Sequence, residues 1–275
     1  MRAGLPGHAE ARPRQAAAAH APGPGSMGPS GRRVLVTGGS SGIGAATARA
    51  FAARGFRVAI AGRDTAALQA VAAGTGGPYL PGDLQEPGTA RRTVDSAADA
   101  MGGLDVVVSN AGVGWAGPFA SMTGAEIDAL LDVNLRAGAH LAHAALRYLR
   151  AGTGHLVFVG SIAGLVGVPG EAWYSATKAG LGGLAGSLRS ELRPAGIRVT
   201  LVVPGVVDTP YFDRRHVPYL RHYPRPISAQ VVADAIVDAV EHSREEIVVP
   251  GWLSWPARLK VGFPGLYRLL ESRLA

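Results

Sequence analysis

The chain of 275 residues contains no cysteine, which excludes a disulfide framework, a thiolate metal site and a cysteine nucleophile. Charged residues are also scarce, at 17%, whereas 47% of the residues are hydrophobic. This composition is typical of a globular protein with a large buried core rather than of a disordered chain. The length fits one α/β domain or two small ones.

Lysine is almost missing, because Lys178 and Lys260 are the only two lysines in a chain with 27 Lys and Arg residues. Arginine therefore dominates the formal net charge of +7. No dense basic stripe interleaved with aromatic residues occurs, so we predict no nucleic-acid partner. A lysine that remains in such a composition is a candidate functional residue.

Long apolar runs are also missing, since no stretch of about 18 uninterrupted apolar residues occurs, and we predict no transmembrane helix. Residues 1–31 are rich in Ala, Pro, Gly and Arg without apolar periodicity, which predicts a disordered N-terminal extension. They lack the apolar core of a signal peptide. A transit peptide stays an alternative, but we favour Met27 as the true start and expect a cytoplasmic protein.

From residue 32 onward, short apolar runs alternate with longer helical stretches. The predicted strands are Arg33–Thr37, Arg57–Ala61, Pro78–Gly82, Asp105–Ser109, His155–Gly160, Arg198–Val203 and Glu246–Val249. The predicted helices lie near 44–54, 64–73, 86–101, 123–150, 172–194 and 228–242. Nearly continuous apolar strands that alternate with helices predict an α/β fold with a doubly wound, seven-stranded parallel sheet in a single domain, residues 32–250.

A glycine-rich turn lies between the first strand and the first helix. Its residues are Gly38, Gly39, Ser40, Ser41, Gly42, Ile43 and Gly44. Glycines permit a tight turn and a close approach of backbone N–H groups, and a helix N-terminus favours a pyrophosphate. An ordinary turn is the alternative, but the strand–turn–helix context favours a dinucleotide site that includes Gly38, Ser40, Ser41, Gly42, Ile43 and Gly44.

Tyr174 and Lys178 lie four residues apart in a predicted helix, so their side chains project from the same face. A phenol has a pKa of about 10, and a neighbouring ammonium lowers it, which suits a general acid–base. Ser161 follows a predicted strand thirteen residues earlier and could hold a substrate oxygen. Asn134 lies in the middle of a predicted helix, where asparagine is locally unfavourable.

The T-G-x-x-x-G-x-G spacing from Thr37 to Gly44 and the Y-x-x-x-K spacing of Tyr174 and Lys178 resemble the short-chain dehydrogenase/reductase family in its single-domain form. The resemblance implies a Rossmann fold over roughly residues 32–250 and a catalytic set of Asn134, Ser161, Tyr174 and Lys178. The resemblance also implies that Asn134 kinks its helix and holds a water linked to Lys178. Tyr174 and Lys178 would both contact a nicotinamide cofactor as well. The further cofactor contacts that it implies are Asp83, Leu84, Asn110, Ala111, Gly112, Pro204, Gly205, Val207 and Thr209.

The end of the second strand predicts the cofactor. NAD enzymes of this architecture place an acid there for the ribose 2′-hydroxyl, whereas this chain has Gly62 followed by Arg63. A guanidinium binds a 2′-phosphate that a carboxylate would repel, so we predict NADP rather than NAD. Asp64 stays an alternative acid if the strand register is shifted by one residue, although it could instead cap the next helix.

We therefore expect an NADP-dependent oxidoreductase that transfers a hydride between nicotinamide and a carbonyl or secondary alcohol. Aromatic and aliphatic residues in 113–119, 162–173 and 211–226 predict a pocket for a hydrophobic, steroid-, retinoid- or lipid-like ketone. These pocket residues are Trp115, Phe119, Leu165, Val168, Trp173, Tyr211 and Phe212. The alternatives are a non-catalytic nucleotide-sensing or scaffold protein and a 3-oxoacyl carrier-protein reductase, although the sixth strand lacks the V-N pair usual in such reductases.

Two further features bear on partners. His140 and His143 lie three apart on a predicted helix, but no third ligand is evident, so we predict no metal and a homodimer or homotetramer instead. Residues 251–275 form a predicted amphipathic tail, whose segment 252–274 is aromatic and basic. This segment could contact a membrane surface, close the substrate pocket or cover a subunit interface.

Overall fold

The structure is a computed structural model that describes residues 31–215, 217–219 and 223–274. Its strands, in chain order, are β1 (Arg33–Thr37), β2 (Arg57–Gly62), β3 (Tyr79–Pro81), β4 (Val106–Ser109), β5 (His155–Val159), β6 (Arg198–Pro204), β7 (Val207–Asp208), β8 (Ile227–Ser228) and β9 (Glu246–Val249). Seven of them form one parallel sheet in the order β3-β2-β1-β4-β5-β6-β9, and β7 pairs with β8 beside it. The predicted doubly wound, seven-stranded sheet is confirmed.

Helices follow most of these strands. They are α1 (Gly42–Ala53), α2 (Thr65–Thr75), α3 (Thr89–Met101), α4 (Gly124–Leu131), α5 (Ala137–Ala145), α6 (Ile162–Val166), α7 (Ala172–Leu192), α8 (Tyr211–Arg214), α9 (Ala229–Glu241), α10 (Ser254–Gly262) and α11 (Pro264–Leu274). Single 3₁₀ turns occupy Phe119–Ser121, Arg193–Ala195 and Gly251–Leu253. None of the helices described is long and apolar enough to span a bilayer.

The sheet is buried on both faces, which explains the continuous apolar runs of its strands. Val34 and Val36 of β1 pack with Phe51 of α1 in one core cluster, which α2 and α9 complete. Leu35, between them in sequence, points to the opposite face and packs in a second cluster, to which Leu141 of α5 belongs together with residues of α3 and α7. Alternate residues of one strand thus anchor two helical layers.

The order of the strands reverses between β1 and β4, which are hydrogen-bonded neighbours at the centre of the sheet. From β1 the chain proceeds outward through β2 to β3, and then returns to β4 on the other side of β1. Loops that leave the carboxyl ends of β1 and β4 therefore diverge and open a crevice, where sheets of this kind bind ligands.

The predicted helix over 123–150 is distorted in its middle and ends earlier than predicted. It is divided into α4, a π-helical segment at Asp132–Arg136, and α5, which ends at Ala145. The interruption is centred on Asn134, whose side chain is hydrogen-bonded to the backbone of Val113. A π-helical turn of this kind commonly marks a functional position.

Both chain ends bear on the predicted domain bounds. Residues 1–30 lie outside the described residues, so the disordered N-terminal extension over 1–31 stays a prediction. At the other end, Gly262 closes α10 and Pro264 opens α11, because a proline cannot continue the preceding helix. The division into 32–250 and a tail over 251–275 also stays a prediction.

Candidate active site

The glycine-rich turn has backbone geometry that side chains would block. Gly38 has a φ of +66°, and a Cβ there would lie 2.9 Å from Cα of Ala111. A Cβ on Gly44 would lie 2.1 Å from the carbonyl oxygen of Gly38, so the first turn of α1 packs directly on the turn. Gly42 also has a positive φ, of +53°. These three glycines are therefore required by the fold of the turn.

The N-terminus of α1 fits a dinucleotide phosphate. Its N-cap residue, Ser41, has extended backbone but makes no side-chain cap, and the first turn contains no acid. The Ser41 hydroxyl instead accepts a 2.9 Å hydrogen bond from Arg214. Ser40 faces the end of β2, since its Oγ lies 3.5 Å from the place of a Cβ on Gly62, and Ile43 packs into the core. Uncapped N–H groups and a nearby guanidinium together favour an anion.

The end of β2 places Arg63 beside the turn. The β1–β2 register pairs Thr37 with Ala61, so β2 ends at Gly62 and Arg63 follows it. Asp64 is the N-cap of α2 and accepts a 3.0 Å hydrogen bond from the backbone of Ala67. Asp64 therefore caps the helix, which is one of the two roles considered for it from the sequence.

Asp83 and Leu84 follow β3 next to this corner. An Asp83 oxygen lies 3.8 Å from a guanidinium nitrogen of Arg63, whose side chain is 56% exposed. The other Asp83 oxygen accepts a hydrogen bond from the backbone of Gln85, and Leu84 packs on the core. Arg63 and Asp83 thus lie on either side of the space beyond β2.

Asn110, Ala111 and Gly112 follow β4, and the first two are hydrogen-bonded to the end of β1. The Asn110 side chain donates a 2.9 Å hydrogen bond to the carbonyl of Thr37, and the Thr37 hydroxyl accepts from the backbone N–H groups of Asn110 and Ala111. These bonds hold the two strand ends together at the crevice.

Ser161, Tyr174 and Lys178 meet beyond the end of β5. Ser161 is the N-cap of α6, and its hydroxyl accepts a 3.2 Å hydrogen bond from the backbone of Ala163. Tyr174 and Lys178 are both buried and lie one turn apart on α7, and the Lys178 ammonium lies 5.9 Å from the centre of the Tyr174 ring. The Lys178 ammonium donates a 2.9 Å hydrogen bond to the carbonyl of Val159.

The protein environment shifts the pKa values of both Tyr174 and Lys178. Burial raises the pKa of Tyr174, although hydrogen bonding to Ser161 opposes the shift. This direction is opposite to the lowering expected from the ammonium, because desolvation of the phenolate is the larger effect here. Burial also lowers the pKa of Lys178 to about 8. Tyr174 is therefore neutral, and Lys178 titrates close to neutral pH.

Asn134 is fixed behind this pair. Its carbonyl oxygen accepts a 2.8 Å hydrogen bond from the backbone of Val113, and its amide donates to Val113 and to the Thr177 hydroxyl. A Cβ on Gly112 would lie 3.3 Å from the Asn134 oxygen and 3.4 Å from the Lys178 nitrogen. Gly112 thus packs close to both polar groups, and a side chain there would crowd them.

Pro204, Gly205, Val207 and Thr209 form the segment after β6. Pro204 ends β6, and a Cβ on Gly205 would lie 2.3 Å from a methyl group of Leu253, so the tail packs tightly here. Val207 is buried in β7, and Thr209 packs against Gly42 of the glycine-rich turn. The segment therefore borders the same crevice as the turn.

An apolar cluster adjoins Tyr174. The partly buried residues that pack in it include Val113, Trp115, Val168, Trp173 and Tyr211. Leu165 packs against the main core and also lines a cavity with Ser161 and Lys178. Phe119 is 56% exposed, and its place in the pocket lining stays a prediction. Within 211–226, residues 216 and 220–222 lie outside the described residues.

Two arginines at the end of α8 were not predicted as site residues. Arg215 forms an ion pair with Glu171, and the exposed fractions of the two side chains are only 6% and 18%. Arg214 makes the contact with Ser41 described above. No sequence signal identifies these contacts, because Arg215 and Glu171 lie 44 residues apart in irregular segments.

No group of three or more His, Asp or Glu side chains that could hold a metal occurs among the described residues. His140 and His143 both lie on the exposed surface of α5.

Comparison with known proteins agrees with this geometry. A family model described as short chain dehydrogenase matches residues 32–217. The chain is 33% identical over 228 residues to the ketoacyl reductase HetN of Nostoc sp. (strain PCC 7120), an alignment that covers 80% of this chain and 78% of the relative.

Two solved structures show the same fold. One is a short chain dehydrogenase from Burkholderia cenocepacia J2315 in complex with NADP, with a TM-score of 0.73, 36% identity, and coverage of 81% of this chain and 97% of that one. The other, from Burkholderia phymatum in complex with NAD, has a TM-score of 0.78, 24% identity, and coverage of 87% and 96%, and shows likeness of fold alone. The chain belongs to the short-chain dehydrogenase family and is an oxidoreductase that acts on CH–OH or C=O groups with a nicotinamide cofactor.

Proposed function

We propose that this oxidoreductase uses NADP to interconvert a hydrophobic ketone and its secondary alcohol. The observation that carries the proposal is the meeting of the Ser161 and Tyr174 hydroxyls beside buried Lys178, at the crevice bordered by the glycine-rich turn. A non-catalytic nucleotide sensor or scaffold would have no use for a buried lysine next to a buried tyrosine.

Each polar group has a role that its contacts support. In ketone reduction, Ser161 and Tyr174 hydrogen-bond the carbonyl oxygen, and neutral Tyr174 donates its proton to that oxygen. Lys178 replaces this proton, aided by its lowered pKa of about 8, and Asn134 holds a water linked to Lys178, since both side chains border Gly112. When bound, the nicotinamide supplies or accepts the hydride.

The NADP preference rests on charge at the end of β2. Arg63 is exposed there, while Asp64, the nearest acid in the sequence, is engaged in capping α2. Arg63 can pair with a 2′-phosphate next to Ser40. A relative of 36% identity was solved with NADP, which agrees with this assignment.

The substrate proposal rests on the apolar cluster beside Tyr174, which favours a steroid-, retinoid- or lipid-like ketone. A 3-oxoacyl thioester is the second candidate, because a relative of 33% identity is named a ketoacyl reductase.

The direct experiment is fluorescence titration of the purified protein with NADPH and NADH, followed by absorbance assays with hydrophobic ketones and an acetoacetyl thioester. We expect tighter binding of NADPH and turnover of a hydrophobic ketone. Tighter binding of NADH would contradict the cofactor proposal. Binding without turnover of any carbonyl compound would instead favour the nucleotide-sensing alternative.

We also propose that the tail contacts an anionic membrane surface. Trp255, Val261 and Phe263 are 70%, 85% and 66% exposed, and the exposed Arg258 and Arg268 add positive charge. An apolar surface with flanking cations is the pattern of an interfacial helix pair. The predicted cytoplasmic location is compatible with this contact and stays a prediction.

Flotation with vesicles that contain or lack anionic lipid tests the membrane contact. Replacement of Trp255 and Phe263 by Ser should abolish co-flotation, whereas Phe119→Ser, which changes an exposed aromatic residue elsewhere, should not. Light scattering in the same buffers measures the proposed homodimer or homotetramer. Two results together would contradict the membrane contact: the unmodified protein fails to bind vesicles, and the tail variant loses the oligomer. The tail would then belong to a subunit interface.

A further inference from the structure

Tyr211, the first residue of α8, places a hydroxyl at the centre of the candidate site. Its ring centre lies 5.9 Å from that of Tyr174. A Cβ on Gly114 would lie 2.3 Å from the Tyr211 oxygen, so this hydroxyl packs against the backbone of the loop that follows β4. The Tyr211 hydroxyl is thus enclosed between that loop and Tyr174.

This hydroxyl is buried and, among the described residues, makes no hydrogen bond of regular geometry. Its weak hydrogen-bonding contact with the Tyr174 hydroxyl lowers the pKa of Tyr174, which partly offsets the effect of burial there. A buried hydroxyl without a well-formed hydrogen bond is costly, and such groups in folded proteins call for a functional explanation.

The surroundings hold Tyr211 in place. The Arg215 guanidinium lies 5.8 Å from the centre of the Tyr211 ring and 4.7 Å from that of Phe212. Arg215 is ion-paired with Glu171, the N-cap residue of α7, three residues before Tyr174. The two tyrosines are therefore positioned by one buried ion pair. Burial also raises the pKa of Tyr211, so its hydroxyl stays neutral and can donate as well as accept.

We infer that the Tyr211 hydroxyl binds a second oxygen of the substrate, on the carbon next to the reacting carbonyl. The inference rests on the proposed function, in which Tyr174 and Ser161 hold the first oxygen. Two neighbouring hydroxyls can bind one substrate oxygen or two adjacent ones; with Ser161 and Tyr174 on the first oxygen, we assign Tyr211 to an oxygen on the adjacent carbon. The substrate class is then a hydrophobic 1,2-diketone or α-hydroxy ketone, reduced at one carbon while Tyr211 binds the oxygen of the other.

The test compares kcat/KM for 1-phenyl-1,2-propanedione and 1-phenyl-1-propanone, which differ by one vicinal oxygen, at saturating NADPH. For each protein, kcat/KM on the diketone is divided by kcat/KM on the simple ketone. Dividing the wild-type ratio by the Tyr211→Phe ratio then removes the intrinsic reactivity of the diketone. We expect the variant to lose at least tenfold more kcat/KM on the diketone than on the simple ketone. Tyr148→Phe removes a tyrosine hydroxyl that donates to Asp95, outside the site, and should leave the ratio unchanged.

Equal losses on both ketones, or no loss on either, would overturn the inference and leave the proposed function intact. Failure of the wild type to reduce any carbonyl compound would overturn the proposed function itself.

Discussion

Lys260 of α10 donates a 2.6 Å hydrogen bond to the carbonyl of Val166, the last residue of the helix that Ser161 caps. The second lysine of the chain thus ties the tail to the C-terminus of α6, while Ser161 occupies its N-cap. A cation is favourable at a helix C-terminus, where backbone carbonyls lack partners. The tail therefore contributes to the position of the segment that carries Ser161.

Loss of this contact should affect substrate binding more than cofactor binding. We expect Lys260→Met to raise KM for a hydrophobic ketone several-fold, because a charged hydrogen bond contributes about 1.5–3 kcal/mol. The Kd for NADPH should not change, and Lys260→Arg should restore most of the KM. Arg258→Met, which removes an exposed cation of the same helix, serves as the control. An unchanged KM in Lys260→Met would show that this contact of the tail does not affect substrate binding.

Arg63→Asp should reverse the cofactor preference. The substitution replaces a cation at the end of β2 by an acid that repels a 2′-phosphate and accepts from a ribose hydroxyl. We expect the Kd for NADPH to rise at least tenfold, which corresponds to about 1.4 kcal/mol, while that for NADH falls. Arg193→Asp, near the opposite end of the sheet, should change neither value. Equal weakening of both cofactors would contradict the assigned role of Arg63.

The sheet could be predicted because its signal is local. Each strand is a run of apolar β-formers such as Val34–Val36, and the motifs fall where strands end. The break at Asn134 could not be placed from periodicity, because it depends on hydrogen bonds to Val113, 21 residues away. Arg215 and Glu171 likewise meet only in the folded chain. Long-range pairs of this kind leave no periodic trace in one sequence.

The pH dependence of ketone reduction should report on Lys178. Its pKa is lowered to about 8, so the ammonium is lost as the pH rises through that value. Tyr174 remains neutral over this range because burial raises its pKa. We expect kcat/KM to be level below pH about 8 and to fall above it, as measured at saturating NADPH. A profile that stays level up to pH about 10 would show that the charge on Lys178 is not required.

Stability should fall in mild acid because of His155. This side chain is fully buried in β5, and burial lowers its pKa to about 3 from 6.5. Its neutral form stabilises the fold fully above pH 6.5, and this contribution is lost progressively as the pH falls toward 3. Between pH about 7.5 and 5 the free energy of unfolding should fall by about 2 kcal/mol from this residue.

Urea unfolding at several pH values measures this contribution as a difference between proteins. His155→Gln cannot titrate, so its unfolding free energy should be flatter with pH than that of the wild type. Titration of carboxylates such as Asp105 is common to both proteins and cancels in the comparison. Parallel pH dependences in the two proteins would show that His155 is not buried in its neutral form.

The most direct test of the account is the Tyr174→Phe variant, assayed for NADPH binding by fluorescence and for ketone-dependent NADPH oxidation by absorbance. The variant keeps the ring but lacks the hydroxyl that donates the proton. We predict an NADPH Kd within about threefold of the wild type and a loss of kcat of at least about 10²-fold, the lower range for general acid–base catalysis. Near-normal turnover by Tyr174→Phe would contradict the proposed chemistry.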